Sequence, residues 1–171
     1  MSLQCLTIIA FLSTFLYTQP QNFTQAKQKL IKLYEQHPDH QITFYCQAPF
    51  RIVHKGTKTR LEIIKSGMNL VPAIGEVNGD RNNYRYAQAP KNMRYTQYGN
   101  CKVYTDFKEK RFYPADYSKG WIARAYLHMS QTYGINLARA ERQLMEAWNK
   151  MYPPSAWEIE RTKIIEREMG K

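Results

Sequence analysis

Long apolar runs are scarce in this sequence. The one that exists, LTIIAFLSTFLY at 6–17, is shorter than the roughly 20 residues a spanning helix needs, which excludes a multipass membrane protein. Acidic residues are also few: 14 Asp+Glu stand against 25 Lys+Arg, leaving a net charge of +11. Length limits the rest, because 171 residues make about one domain and a two-domain enzyme does not fit. With 43% hydrophobic and 13% aromatic residues the chain can bury a core, so wholesale disorder is excluded too. Cysteine is sparse. Of the three, Cys5 precedes the apolar run, and only Cys46 and Cys101 lie beyond it.

Residues 1–19 carry no charged side chain, and their apolar stretch ends at a polar QPQN turn. This pattern predicts a signal peptide over 1–20 and a basic, soluble domain over 21–171, placed in the periplasm or secreted; a buried first helix is the alternative. Export would bring Cys46 and Cys101 to an oxidising compartment, where they either form one disulfide or remain two buried thiols.

Positive charge is concentrated in the middle. Residues 51–111 hold 13 Lys/Arg against 5 Asp/Glu, while the remainder holds 12 against 9. Aromatics are interleaved with these cations (Tyr84, Arg85, Tyr86; Arg94, Tyr95; Tyr98; Lys102, Tyr104; Phe107, Lys108), a composition suited to phosphate contacts with stacking or sugar contacts between them. Arg85, Lys91, Arg94, Lys102 and Lys108 are the candidate nucleic-acid contacts. The competing reading is a basic surface that serves solubility alone.

Helical spacing predicts a first helix over 22–36, capped by Asn22 with Gln25, and a short strand over QITFYC at 41–46. Further helices are predicted over 120–133, stopped by Gly134, over 137–151, stopped by Pro153 and Pro154, and from a Ser155/Glu158 cap through Ile165. Their Met and aromatic stripes, and His128 among them, read as core. The basic middle shows little periodicity, and no repeat or linker is present.

Residues 69–83, NLVPAIGEVNGDRNN, crowd Asn, Gly, Asp and Arg where neither a helical nor a strand period explains them. Together with TFYC (43–46), QYGNC (97–101), DFKEKR (106–111), AWNKMYP (147–153) and WEIER (157–161), in this order, the stretch resembles the bacterial endonuclease I family of periplasmic and secreted nucleases. The resemblance implies an α+β fold, a mixed α/β domain holding a ββα-metal motif, incomplete in this chain. It implies a monomer that cuts DNA, and often RNA, with little regard to sequence. In such a site a histidine serves as general base while Mg2+ stabilises charge on the phosphate. The family's asparagine ligand maps onto Asn78; Glu76, Asp80 and Arg81 of the same box are taken as orienting groups.

The sequence departs from the family in one respect that matters chemically. The family's Trp-Glu-His-Val-Val-Pro box, source of the base and the acidic ligand, is missing: the 22 residues at 47–68 contain no adjacent Glu and His, and Met68 and Ser66 stand where a histidine and an acid are usual. Ile159 replaces a frequent cysteine in WEIER. His54 could reach the site on a strand but has only Val53 and Lys55 beside it, and His37, Asp39 and His40 read as solvated turn residues. No catalytic residue is therefore assigned. Loss of that segment predicts an uncovered apolar surface at Leu70 or Ile74. Three functions follow as alternatives: a nuclease of low activity, an inactive nucleic-acid-binding remnant, and an exported scaffold.

Overall fold

The computed structural model describes residues 20–36, 71 and 73–168. The expected signal segment, the strand at 41–46, His37, Asp39, His40, Cys46, His54 and Leu70 lie outside them. The elements in chain order are α1 (Phe23–Glu35), α2 (Gly75–Arg81), β1 (Arg85–Tyr86), β2 (Tyr104–Asp106), β3 (Arg111–Tyr113), α3 (Asp116–Tyr133), α4 (Arg139–Met151) and α5 (Ala156–Glu168). Helices with a small mixed sheet make this an α+β domain.

The helices start and stop largely where the capping chemistry places them. The Asn22 Oδ1 accepts the Gln25 amide at 3.0 Å, and the Gln25 side chain returns the bond by accepting the Gln21 amide at 2.7 Å. That reciprocal cap satisfies donors which the first turn of α1 would otherwise leave unpaired. Leu30 and Leu33 of α1 pack on Ile164 and Ile165 of α5, and the Lys29 ammonium donates to the Glu168 carbonyl at 3.0 Å, closing the far end of α5. Ser155 Oγ accepts the Glu158 amide at 3.1 Å and starts α5. Helix α3 runs to Gly134, whose φ of 64° turns the chain at no steric cost.

Two boundaries differ from expectation. Helix α3 begins at Asp116, where Ser118 Oγ bonds the Ala115 carbonyl at 2.8 Å, so a polar first turn extends it ahead of the apolar stripe. Helix α4 begins at Arg139; Leu137 is buried from the preceding loop and reaches the core without being helical.

The middle of the chain holds more regular structure than its composition suggests. β3 is central, parallel to β1 and antiparallel to β2. Turn 107–110 joins β2 to β3, fixed by the Asp106 carboxylate accepting the Glu109 amide at 2.8 Å and by Lys110 at a φ of 53°. Tyr86, Thr105 and Phe112 share one register row and are buried, while Arg85 and Arg111 share the next row and are exposed. Alternation across the pleat explains the split. On the inner face, edge-on contacts join Tyr86 to Phe112 at 5.8 Å and to Tyr126 of α3 at 5.7 Å.

Behind the sheet, Val77, Val103, Ala123, Met145 and Trp148 are fully buried in one core, and each of the large side chains contributes about 1.5–3 kcal/mol by leaving water. Ile74 is half-buried against this core, so the bare apolar surface expected there is not found. The Trp148 indole donates to Gln88 Oε1 at 2.9 Å, and Lys119, itself buried and paired with Asp116 at 2.7 Å, donates to the same oxygen at 3.3 Å. Arg124 of α3 clamps the other end: its guanidinium holds both Glu158 oxygens, the Tyr152 carbonyl at 2.7 Å and Asn149 Oδ1 at 3.3 Å. The AWNKMYP and WEIER segments thus serve as scaffold, tying α3, α4 and α5 together.

Candidate functional site

Asn78 sits on α2, a seven-residue helix whose sequence, GEVNGDR, has little intrinsic helical preference. Tertiary anchors hold it. Val77 is fully buried, and Arg81 turns inward with 2% of its surface exposed, its guanidinium 4.6 Å from the Tyr86 ring centre and bonded to the Tyr126 hydroxyl at 3.4 Å and the Asn82 carbonyl at 2.8 Å. These groups help to offset the cost of burying its charge so deeply. Burial pushes both phenols up, against the opposing pull of the Arg81 charge on each. Beyond the helix, Asn82 adopts a φ of 47°, a conformation asparagine accepts better than most residues.

The opposite face of α2 is uncovered among the described residues. Asn78 is exposed and its side chain makes no hydrogen bond among the described residues. Gly75 and Gly79 flank it, and a Cβ built at either would meet no atom within 4 Å. A bulky ligand can therefore approach the Asn78 carboxamide. Glu76 and Asp80 are each two residues away, about 200° around the helix axis, so neither can share an ion with Asn78. Glu76 is exposed, and Asp80 is half-buried. No group of three His, Cys, Asp or Glu side chains able to hold a metal occurs among the described residues. One neutral oxygen does not make a divalent-ion site, so these residues alone do not fit the metal.

Asp80 is instead spent on anchoring. Its carboxylate accepts the Tyr98 hydroxyl at 2.9 Å, and the Tyr98 oxygen meets the Thr105 hydroxyl at 2.7 Å. One phenolic proton cannot serve both contacts, so Thr105 donates to Tyr98 and Tyr98 donates to Asp80. Next to it, the Gln97 side chain pairs with the Thr105 backbone in both directions, at 2.7 and 3.0 Å, acting as a one-residue extension of the sheet edge. Partial burial, with the hydrogen bond to Asp80 and the nearby Asp80 and Glu76 charges adding, pushes the Tyr98 phenol up to about 12; the Thr105 bond opposes this.

That shift has a sign in solution. The unfolded phenol ionises near pH 10 while the folded one keeps its proton, so the stability Tyr98 contributes is fully present below pH 10 and is lost as pH rises towards 12. Tyr98→Phe is expected to cost about 1–2 kcal/mol at neutral pH by leaving Asp80 and Thr105 unpaired. It should also remove one proton's share of the alkaline decline, about 1.4 kcal/mol per pH unit. Urea titrations at neutral and alkaline pH measure both; an unchanged alkaline slope would show that Tyr98 is not the titrating group.

The five cations singled out from sequence, Arg85, Lys91, Arg94, Lys102 and Lys108, are all exposed. Arg85 lies on β1, Lys108 in the hairpin turn, and the other three in the connection between β1 and β2. Sequence reasoning missed Arg111, which strand register places beside Arg85, and it counts Tyr98 among the aromatics interleaved with the cations, where the structure turns its hydroxyl to Asp80 and Thr105. Cys101 is buried and disulfide-bonded, which decides against two free thiols; Cys46 lies outside the described residues.

Comparison with known proteins places this architecture. The Endonuclease I family profile matches residues 54–171, more than half of the chain. The chain belongs to the endonuclease I family. A periplasmic deoxyribonuclease of Aeromonas hydrophila is 34% identical over 203 aligned positions, taking in 89% of this chain and 84% of the relative. An extracellular deoxyribonuclease of the same organism is 34% identical, covering 88% and 85%. Endonuclease-1 of Buchnera aphidicola subsp. Acyrthosiphon pisum (strain APS) is 45% identical over a shorter stretch, 57% of this chain and 38% of the relative. The segment 47–68, where the expected ββα-metal motif of this endonuclease I chain would have its other parts, lies outside the described residues, which therefore do not contain the motif as a whole. No helix among the described residues is long and apolar enough to cross a membrane.

Proposed function

We propose that this chain is an exported, monomeric endonuclease I-type protein that binds nucleic acid and hydrolyses phosphodiester bonds of DNA, and secondarily RNA, at a much reduced rate. The glycine-flanked, unencumbered Asn78 face of α2 carries the reading, because it leaves an oxygen donor open to a phosphate or its counterion while Asp80 and Arg81 hold the helix from behind. Mg2+ is the ion the family resemblance implies; Asn78 is the one open oxygen donor on this face among the described residues and does not by itself make a site for it. Export is supported by the periplasmic and extracellular relatives.

The reduced rate is supported by the absent Glu-His box and by alignment length. The comparison with the periplasmic deoxyribonuclease runs over 203 positions but takes in 89% of 171 residues, about 152, so about 50 positions fall opposite gaps in this chain. The positively charged middle, whose described cations Arg85, Lys91, Arg94, Lys102 and Lys108 are exposed, favours a second reading, an inactive nucleic-acid-binding remnant.

Incubation with supercoiled plasmid and Mg2+ separates the two. Slow nicking that EDTA and Asn78→Ala both abolish supports the metal-dependent nuclease; nicking that survives either counts against it. DNA retention without cleavage, weakening steeply with salt as counterions are released, supports the remnant. Neither binding nor cutting would leave the scaffold alternative.

A further inference from the structure

We infer that the β2–β3 hairpin, with Arg85 beside it, is a docking element for single-stranded nucleic acid: Arg85 and Arg111 take phosphates, and the Phe107 ring stacks on an unpaired base. The inference rests on the nucleic-acid-binding reading above and names which part of the surface does the work and on what form of strand.

Register supplies the first observation. Arg85 and Arg111 are Cα partners on adjacent strands, both exposed on the outer face, roughly 5 Å apart at the backbone. Like charges directly opposite destabilise a sheet, and among the described residues neither takes part in an ion pair. Asp106 is in register with Arg111 on the other side, but its carboxylate is turned to the Glu109 amide of the hairpin. Lys108 and Lys110 of the same turn are exposed and equally uncompensated. Four cations against Asp106 and Glu109 form a patch that an anionic chain would relieve.

Phe107 supplies the second. It stands 52% exposed at the hairpin tip, an unusual place for a large apolar ring, held by an edge-on contact with Tyr84 at 6.3 Å and 81°. Tyr84 packs against the core, so the ring is propped on a fixed base. An aromatic at the end of a rigid turn, ringed by cations, offers what a splayed nucleotide needs: a flat apolar face beside charges for its phosphates. In a duplex those base faces are already covered by their neighbours, which is why the strand must be single.

Fluorescence anisotropy in EDTA, with a labelled oligothymidine and a duplex of equal length, tests this. Phe107→Ala is expected to weaken oligothymidine binding about 5- to 150-fold and duplex binding by less than about 2-fold, with Phe107→Tyr close to wild type. Arg111→Ala should lower the salt slope for the single strand by about 0.7, one phosphate's worth. If the wild type binds but Phe107→Ala changes neither ligand, or both equally, the hairpin assignment falls while the binding reading stands. If the wild type binds neither, both fall. Circular dichroism confirms that these surface variants fold.

Discussion

Gly120→Ala is expected to unfold this protein roughly 5–15 °C earlier than wild type, a loss of about 2–4 kcal/mol. Helical preference alone argues the other way, since alanine in a helix interior is favoured over glycine by about 1 kcal/mol. Packing decides the sign. A Cβ at position 120 would lie 2.1 Å from the Tyr152 carbonyl oxygen and 2.8 Å from the Tyr152 Cβ. The carbonyl cannot swing away cheaply, because the Tyr152 amide is bonded to the Trp148 carbonyl at 2.9 Å and its oxygen is held by Arg124 at 2.7 Å. Relieving the contact means lifting the end of α4 off α3, breaking that charged hydrogen bond, worth about 1.5–3 kcal/mol, and loosening the Arg124–Glu158 pair beyond it. Thermal unfolding followed by circular dichroism measures the effect. A Gly120→Ala protein as stable as wild type would mean that α3 and α4 are farther apart than described.

This glycine shows what a sequence does and does not disclose. Among the described residues, four of the five helices could be read because each carries a local signal: Asn22 with Gln25, Gly134, Pro153 with Pro154, and Ser155 with Glu158. Their amphipathic stripes reinforce those signals. Helix α2 could not be read, since GEVNGDR is helical by virtue of groups distant in sequence: Tyr98 holding Asp80, and Tyr86 and Tyr126 receiving Arg81. Strands of two or three residues are too short to display alternation, which hid the sheet and with it the Arg85/Arg111 register. The exposure of the five called cations was legible from composition. Which of them have neighbours of like charge was not, because that depends on pairing.

The largest functional effect expected is a deficit. Against the Aeromonas hydrophila periplasmic deoxyribonuclease, under identical Mg2+ and plasmid concentrations, this chain should nick DNA about 100- to 10,000-fold more slowly, the range that removal of a general base typically costs. None of the described residues is placed to compensate. His128, the one histidine among them, lies on α3 beside Tyr133 at 6.1 Å and Thr132 at 3.4 Å, a setting that fixes its ring locally. Asp80 is engaged by Tyr98, and Glu76 projects away from Asn78 around the helix. Among the described residues, no group at the Asn78 face is placed to take a proton from an attacking water. Grafting the family's Trp-Glu-His-Val-Val-Pro segment between Cys46 and Asn69 should recover at least about tenfold of the loss if geometry permits, and Asn78→Ala should then erase the gain. A wild-type rate within about tenfold of the relative would overturn this account, and a His54→Ala variant that abolished such activity would identify the replacement base.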